Sequence, residues 1–257
     1  MLTRGEIMSA QRLRALHIPG DPLVLPNAWD ADSARLVVEA GFPVVATSSA
    51  AVAASLGYSD GEQVSPDEMF DVAARITAAV DVPLTVDVES GYGLSALELA
   101  DRLAEADAAG CNIEDTDQQE GRRRSADENA ALLASVKEHS GELLVVNARI
   151  DSFLGAQGAE EERAALPDAI ERARAYLDAG ADCVYPIHVR SPEVLGEFVS
   201  AVSPALVNAT YLPDGPDLAM LTKLGVARVS LGTGLWRLAQ ARISSALSAL
   251  AGGASPF

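Results

Sequence analysis

Pro83-Leu84-Thr85-Val86-Asp87-Val88-Glu89-Ser90-Gly91-Tyr92-Gly93 runs from a proline through a short β-prone segment onto two carboxylates and into a glycine-flanked loop. A strand repeats every two residues, so Asp87 and Glu89 share one face and Val86 and Val88 the other. A solvated strand end would account for that pair on its own. A second stretch changes the balance: Cys111-Asn112-Ile113-Glu114-Asp115 also ends in acids and also follows a helix-like segment closed by a glycine, Gly110. Acids at the same end of neighbouring parallel strands crowd negative charge unless a cation sits among them. A hard divalent ion with oxygen ligands is the natural candidate.

The same unit recurs on both sides. Apolar strand-like runs fall at 23–28, 42–46, 143–151, 181–187, 205–210 and 227–232, besides those around Asp87 and Glu114. Helical patterns lie between them: one after a cap at Asp30 or Asp32, one capped by Ser65-Pro66-Asp67-Glu68, and others at 95–109, 127–138, 167–179, 217–224 and 235–250. A further helix at 4–16, spaced through Ile7, Leu13 and Leu16, precedes them. Ala-Gly stands before the second, fourth and sixth strands and Leu-Gly before the eighth, as the helix-to-strand junction of one repeated unit. Short apolar strands are what a buried parallel sheet requires. The 257 residues suit one α/β domain spanning 1–257, a (β/α)8 TIM-type barrel with an extra N-terminal helix. A doubly wound open sheet is less favoured, since no glycine fingerprint for a dinucleotide follows the first strand.

Composition narrows the partners. A formal net charge of −18 argues against nucleic acid or an anionic membrane surface, though not against a small anionic substrate held by a local cation and an arginine. The two cysteines, Cys111 and Cys183, sit in apolar runs and read as buried, reduced thiols. No signal-peptide pattern opens the chain, and no run reaches the roughly 20 apolar residues of a membrane span, so a cytoplasmic protein is expected.

In a barrel of this kind the chemistry gathers at the carboxyl ends of the strands. Ser48, Ser49, Asp60, Asp87, Glu89, Glu114, Arg149 and Asn208 all fall there. The small residues at 47–51 read as a turn that lets a ligand approach the backbone. The polar segment 116–125 reads as a mobile loop, either plain surface or a lid that brings an arginine over the site. Arg149, at the end of a buried strand, fits an ion pair with Asp151 or a neighbouring acid as well as it fits substrate binding. His188 alone is weak evidence. The cluster as a whole suits a chelated 2-oxo acid whose far acid group meets Arg149.

Asn27-Ala28-Trp29-Asp30, Ser48-Ser49-Ala50, the 56–60 loop, Asp87-Val88-Glu89-Ser90-Gly91-Tyr92-Gly93, Ile113-Glu114-Asp115 and Asn147-Ala148-Arg149-Ile150-Asp151 together resemble the isocitrate lyase and phosphoenolpyruvate mutase superfamily, in order and over nearly the whole chain. The resemblance implies a magnesium-dependent barrel, with manganese as a substitute, that makes or breaks a C–C or C–P bond beside a 2-oxo acid through an enolate. It implies Asp87 as the acid closest to the metal, with Glu89, Glu114 and Asp60 holding it largely through water. It further implies backbone groups of Ser48, Ser49 and Ala50 as a carboxylate or oxyanion cradle, Arg149 and Asn208 as substrate contacts, and Asp60, Glu114 and Arg149 as the catalytic groups. Glu89 stands where many members have aspartate.

One departure shapes the expected activity. Isocitrate and methylisocitrate lyases carry Lys-Lys-Cys-Gly-His after the fourth strand, whereas this chain reads Asp117-Gln118-Gln119-Glu120-Gly121-Arg122, with no cysteine. It also lacks the longer lysine- and asparagine-containing segment of phosphonopyruvate enzymes. The expectation is a lyase acting as a decarboxylase or aldol-type enzyme on a small 2-oxo or substituted dicarboxylic acid. A C–P mutase or hydrolase and a non-catalytic 2-oxo-acid-binding barrel are the alternatives. Family members resemble tetramers that exchange their last helix, so a dimer or homotetramer with a swapped C-terminal helix is expected, the apolar side of that helix being Leu235, Leu238, Ile243, Leu247 and Leu250.

Overall fold

The computed structural model describes residues 4–256, with side chains described from Ser9 onward. Met1 to Thr3 and the side chain of Ile7, an apolar position of the leading helix, lie outside the described residues. Parallel pairing runs from a first strand, Leu23–Leu25 resumed after Pro26 as Asn27–Ala28, through Val45–Thr47, Leu84–Asp87, Gly110–Glu114, Val145–Ile150 and Cys183–Pro186. A bridge from Val184 to Val207 carries the ring to Asn208–Thr210, which pairs with Arg228–Ser230, which pairs back onto Leu23–Leu25. These eight strands close a (β/α)8 barrel.

Alternation sorts the strand residues. Val45, Leu84, Val86, Ile113, Val146, Ala148, Ile150, Val184, Val207 and Val229 point outward and pack with the helices in one large buried cluster. Burying a side chain of that size contributes about 1.5–3 kcal/mol, which is why each strand tolerates polar residues on its other face. That inner face is apolar at one end: Leu23, Leu25, Val44, Ala46, Ala109 and Val145 form a second cluster with Leu13 of the leading helix, Arg4–Ala15. Leu13 plugs the barrel there so closely that a Cβ on Gly110 would lie 2.8 Å from Leu13 Cδ2 and 2.7 Å from the Val145 carbonyl oxygen. Toward the carboxyl ends the inner face turns polar.

The helices start where local chemistry places them. Asp30, Ser95 and Ser125 close reciprocal capping boxes with Ser33, Glu98 and Glu128, and Ser65 caps a helix that has Pro66 in its first turn.

Three expectations are corrected. Residues 47–51 are not a turn, because the helix Ser49–Leu56 begins inside them. The seventh helix covers Ala159–Asp178 and holds Pro167 within it, its first turn carrying Glu160, Glu161 and Glu162, acids that favour a helix start. Residues 116–125 are a folded element, with Thr116–Asp117 paired antiparallel to Arg122–Arg123. The last helix, Gly234–Ala251, follows the eighth strand with none of its residues buried.

Candidate active site

Asp87 ends the third strand on the inner face. Its backbone N–H donates to Thr47 Oγ1 at 2.8 Å, and its Oδ2 accepts from the Ser49 N–H at 3.1 Å and the Ser49 hydroxyl at 3.0 Å. The start of the helix Ser49–Leu56 is thereby tied to this carboxylate. Of the amides expected as a cradle, Ser48 N–H is taken by the Ala28 carbonyl and Ser49 N–H by Asp87, which leaves that of Ala50, in the first turn of the helix, facing the charge-complementary N-terminal end.

Strand alternation ends at Asp87. Glu89 adopts φ +49° and lies in the loop beyond, 3 % exposed, with Oε2 accepting from the Glu62 N–H at 2.7 Å and Oε1 from the Tyr92 hydroxyl at 3.0 Å. Glu62 returns the contact: its Oε1 accepts from Ser90 N–H, Ser90 Oγ and Tyr92 N–H at 3.1, 2.5 and 2.8 Å. The segment carrying Asp60 and the Gly91–Gly93 loop are thus laced together. Burial, then the charges of Asp87 and Asp60, push the Glu89 carboxyl up to about 7. Burial and the Asp87 charge likewise raise Asp60 above the usual carboxylate range, against the Gly61 amide, Arg149 and Ser49.

Glu114 and Arg149 are partners in the ladder, and Arg149 Nη1 lies 2.5 Å from Glu114 Oε2 while its Nε donates to Asp151 Oδ1 at 2.7 Å. The ion pair that the sequence allowed for Arg149 is therefore present, with two acids rather than one. Burial opposes the charge on Arg149, yet Glu114, Asp151 and Asp87 hold it firmly protonated. Glu114 is raised well above the ordinary value, because burial and the neighbouring Asp151 and Asp87 outweigh an arginine shared with a second acid. Asp115, the other acid of that strand end, faces away: it is fully buried and accepts from the Asp151 N–H, Arg172 and the Tyr176 hydroxyl.

The hairpin after the fourth strand folds down on this rim. Gln118 Nε2 bonds Glu114 Oε1, and Arg124 donates to Asp117 and to the Ser90 carbonyl. Its arginines are otherwise engaged, Arg122 with Glu120 and Glu128 and Arg123 with Asp168. Asn208 is buried one layer beneath the rim, its amide donating to Ser230 Oγ at 3.1 Å. His188, at φ +66°, gives its backbone N–H to Thr210 Oγ1. Both cysteines are buried, with thiols pushed up to about 12 by burial, and neither suits acid–base work at neutral pH.

Asp60, Asp87, Glu89, Glu114 and Arg149 thus meet at one rim, with Ser48–Ala50 beside them. No group of three or more His, Cys, Asp or Glu side chains converges tightly enough to hold an ion on its own among the described residues. The donors are all oxygen, and their charges act on one another. That combination fits a hard divalent ion held by one carboxylate directly and by the rest through water. Sequence reasoning missed Glu62, Tyr92, Thr47 and Gln118. The signal for Glu62 was an acid set directly after Gly61 in a loop that already held Asp60.

The profile of the family described as phosphoenolpyruvate phosphomutase matches residues 13–251. An uncharacterised protein of Mycobacterium tuberculosis is 36% identical over 218 residues, 85% of this chain and 80% of its own length. The 2-methylisocitrate lyase of Bacillus subtilis is 31% identical over 211 residues, 80% of this chain and 69% of its own. Among solved structures, phosphoenolpyruvate phosphomutase from Streptomyces platensis subsp. rosaceus superposes with a TM-score of 0.82 at 26% identity, covering 96% of this chain and 89% of that one. The chain belongs to the phosphoenolpyruvate phosphomutase family, within the isocitrate lyase/PEP mutase superfamily.

Proposed function

We propose that this protein is a Mg2+-dependent lyase that cleaves a carbon–carbon bond next to a 2-oxo acid through an enolate-like intermediate, as a decarboxylase or an aldol-type enzyme. The observation that carries the reading is the meeting of Asp60, Asp87, Glu89 and Glu114, drawn from separate segments, beside Arg149 and the start of a helix. Asp87 would hold the ion, with Asp60, Glu89 and Glu114 contributing through water. When bound, Mg2+ (or Mn2+) supplies Lewis-acid charge beside the substrate's paired oxygens.

The chain's own groups do the rest. Arg149, fixed between Glu114 and Asp151, presents a charged planar fork to the far carboxylate and orients it. The Ala50 amide at the helix N-terminus favours an oxyanion at the carbonyl end, while the Ser48 and Ser49 amides, bonded to Ala28 and Asp87, hold that helix start in place. Glu114 and Asp60, both raised above the ordinary carboxylate range by burial, are the groups placed to hold or deliver a proton. Asn208 supports the wall behind. The hairpin, seated on Glu114 through Gln118, keeps water off the rim.

A 2-methylisocitrate lyase activity is disfavoured, since the hairpin carries no cysteine and Cys111 faces the helix shell, fully buried. C–P chemistry, as a mutase or hydrolase, is the second reading, favoured by the family profile. A screen of oxaloacetate, substituted malates and phosphonopyruvate, with wild type and Asp87→Ala, with and without Mg2+, separates the readings. Metal-dependent turnover of an oxo- or hydroxy-dicarboxylate supports the lyase. Turnover of phosphonopyruvate alone moves the assignment to C–P chemistry, and oxalate binding without any turnover makes the barrel a binding protein.

A homo-oligomer belongs to the same proposal. The last helix leaves Leu238, Ile243, Leu247 and Leu250 more than half exposed, an apolar face suited to a second copy. No helix among the described residues is long and apolar enough to cross a membrane; a cytoplasmic placement is part of the same proposal.

A further inference from the structure

Arg228 opens the eighth strand on the inner face of the barrel, beneath the rim, and is fully buried. Its Nη2 donates to Asn112 Oδ1 at 3.0 Å, an oxygen that also accepts from Asn147 Nδ2 at 2.8 Å. Nε and Nη1 have no partner. A guanidinium withdrawn from water with one bond to a neutral amide is expensive to keep charged, and burial draws Arg228 below its ordinary pKa. Some negative charge must offset that expense.

The position of Asn112 indicates where that charge lies. In the ladder Asn112 is the partner of Asp87. The groups whose charge acts most on Arg228 are Cys183, Tyr185, Cys111 and Asp87. The first three are pushed up to about 12 by burial, which leaves Asp87 as the one carboxylate among them. Above it the rim collects Asp60, Glu89, Glu114 and Asp151, with Arg149 shared between the last two.

We propose that Arg228 is the built-in counter-charge of the acid cluster, a fixed cation beneath Asp87 that offsets the crowded carboxylates in the metal-free protein and opposes the divalent ion when it binds. This rests on the metal reading given above. With Asp87 holding the ion, the buried Arg228, bonded to Asp87's ladder neighbour Asn112, would be a like charge acting on the same carboxylate. For separations on the order of 10 Å and an effective dielectric of about 20, a unit charge and a divalent ion repel enough to change affinity about ten-fold or more.

The sign separates this role from a structural one. Loss of a merely structural arginine loosens the site and weakens Mg2+ binding, whereas loss of an opposing charge tightens it. Metal-free wild type, Arg228→Met, Arg228→Gln and Arg228→Lys are titrated with Mg2+ by calorimetry, and Tm is measured with and without the ion. Arg228→Met and Arg228→Gln are expected to bind Mg2+ about ten-fold more tightly, to melt lower without metal and to gain more Tm on adding it. Arg228→Lys, which keeps the charge, stays near wild type. The Gln side chain can still donate to Asn112, so this variant carries the test if Met does not fold. Equal or weaker Mg2+ binding by a folded uncharged variant overturns the proposal alone. A wild type that binds no divalent ion removes the metal reading and this inference with it.

Discussion

Glu114 and Arg149 face each other in register across the fourth and fifth strands at 2.5 Å, and Arg149 divides itself between Glu114 and Asp151. Replacing Arg149 by Met leaves two buried carboxylates without their shared cation, and breaking such a pair from one side costs about 3–5 kcal/mol. Urea denaturation of Arg149→Met is expected to show a loss of that order, and the double variant Arg149→Met/Glu114→Gln to recover much of it. Both fall about 100-fold or more in turnover, because neither restores the substrate contact. Equal stability of the single and double variants would mean that the pair is not the source of the loss.

Stability of the metal-free protein is expected to fall as pH rises. The Glu89 carboxyl goes from an ordinary 4.5 to about 7 in the fold. Between those values the folded state keeps a proton that the unfolded chain has lost, so stability declines with pH across that window. Below about 4.5 both states are protonated and the contribution is whole; above about 7 both are ionised and it is gone, a change of at most about 3 kcal/mol. Glu114 and Asp60, also raised, act in the same direction. Denaturant titrations from pH 5 to 8 should show the decline, shallower in Glu89→Gln and shallower again with Mg2+. A flat profile for the metal-free wild type contradicts the crowding of these acids.

Glu62 holds Glu89 directly through its backbone N–H, and its side chain accepts three bonds from Ser90 and Tyr92. Glu62→Ala is expected to lower stability by roughly 2–4 kcal/mol and to weaken metal binding by freeing Glu89. Glu62→Gln, whose amide oxygen can still accept, should lose much less. If both variants match wild type in Tm and Mg2+ affinity, the lacing of the two loops does not position Glu89.

The hairpin's seat on Glu114 can be read by hydrogen exchange. Gln118→Glu sets a further acid against Glu114, so amide protection at Gln118 and Arg124, which bond Ser90 Oγ and the Asp115 carbonyl, is expected to drop. Gln118→Ala should show a smaller drop. Unchanged protection in both variants would show that the Gln118–Glu114 bond does not seat the hairpin.

The barrel was legible in the sequence because its signals are local and repeated: an apolar run, a polar end, a cap, a helix, a glycine. The rim acids were legible for the same reason, each standing at a strand end or in the loop beyond it. What stayed hidden depends on contacts between distant segments. Strand alternation continued through Glu89 on paper, but that residue takes φ +49° and reaches Glu62 instead. The segment 116–125 has the composition of a mobile loop, and its pairing of Thr116–Asp117 with Arg122–Arg123 over Glu114 leaves no trace in hydropathy. Arg228 lies within the run 227–232 and carried no signal of its own, because only closure of the ring sets it against Asn112. The helix caps at Asp30 and Ser65 were readable, whereas the start of the helix at Ala159, ahead of Pro167, was obscured by the proline.

Calorimetric titration of Mg2+ into the metal-free wild type and into Asp87→Ala, at pH 7.5 or thereabouts, probes the acid rim itself. One Mg2+ per chain binding to the wild type, with binding lost in Asp87→Ala while the circular dichroism spectrum is kept, is the expected result. Binding of equal strength and stoichiometry in Asp87→Ala, or none in either protein, would contradict the assignment of this rim as a divalent-ion site.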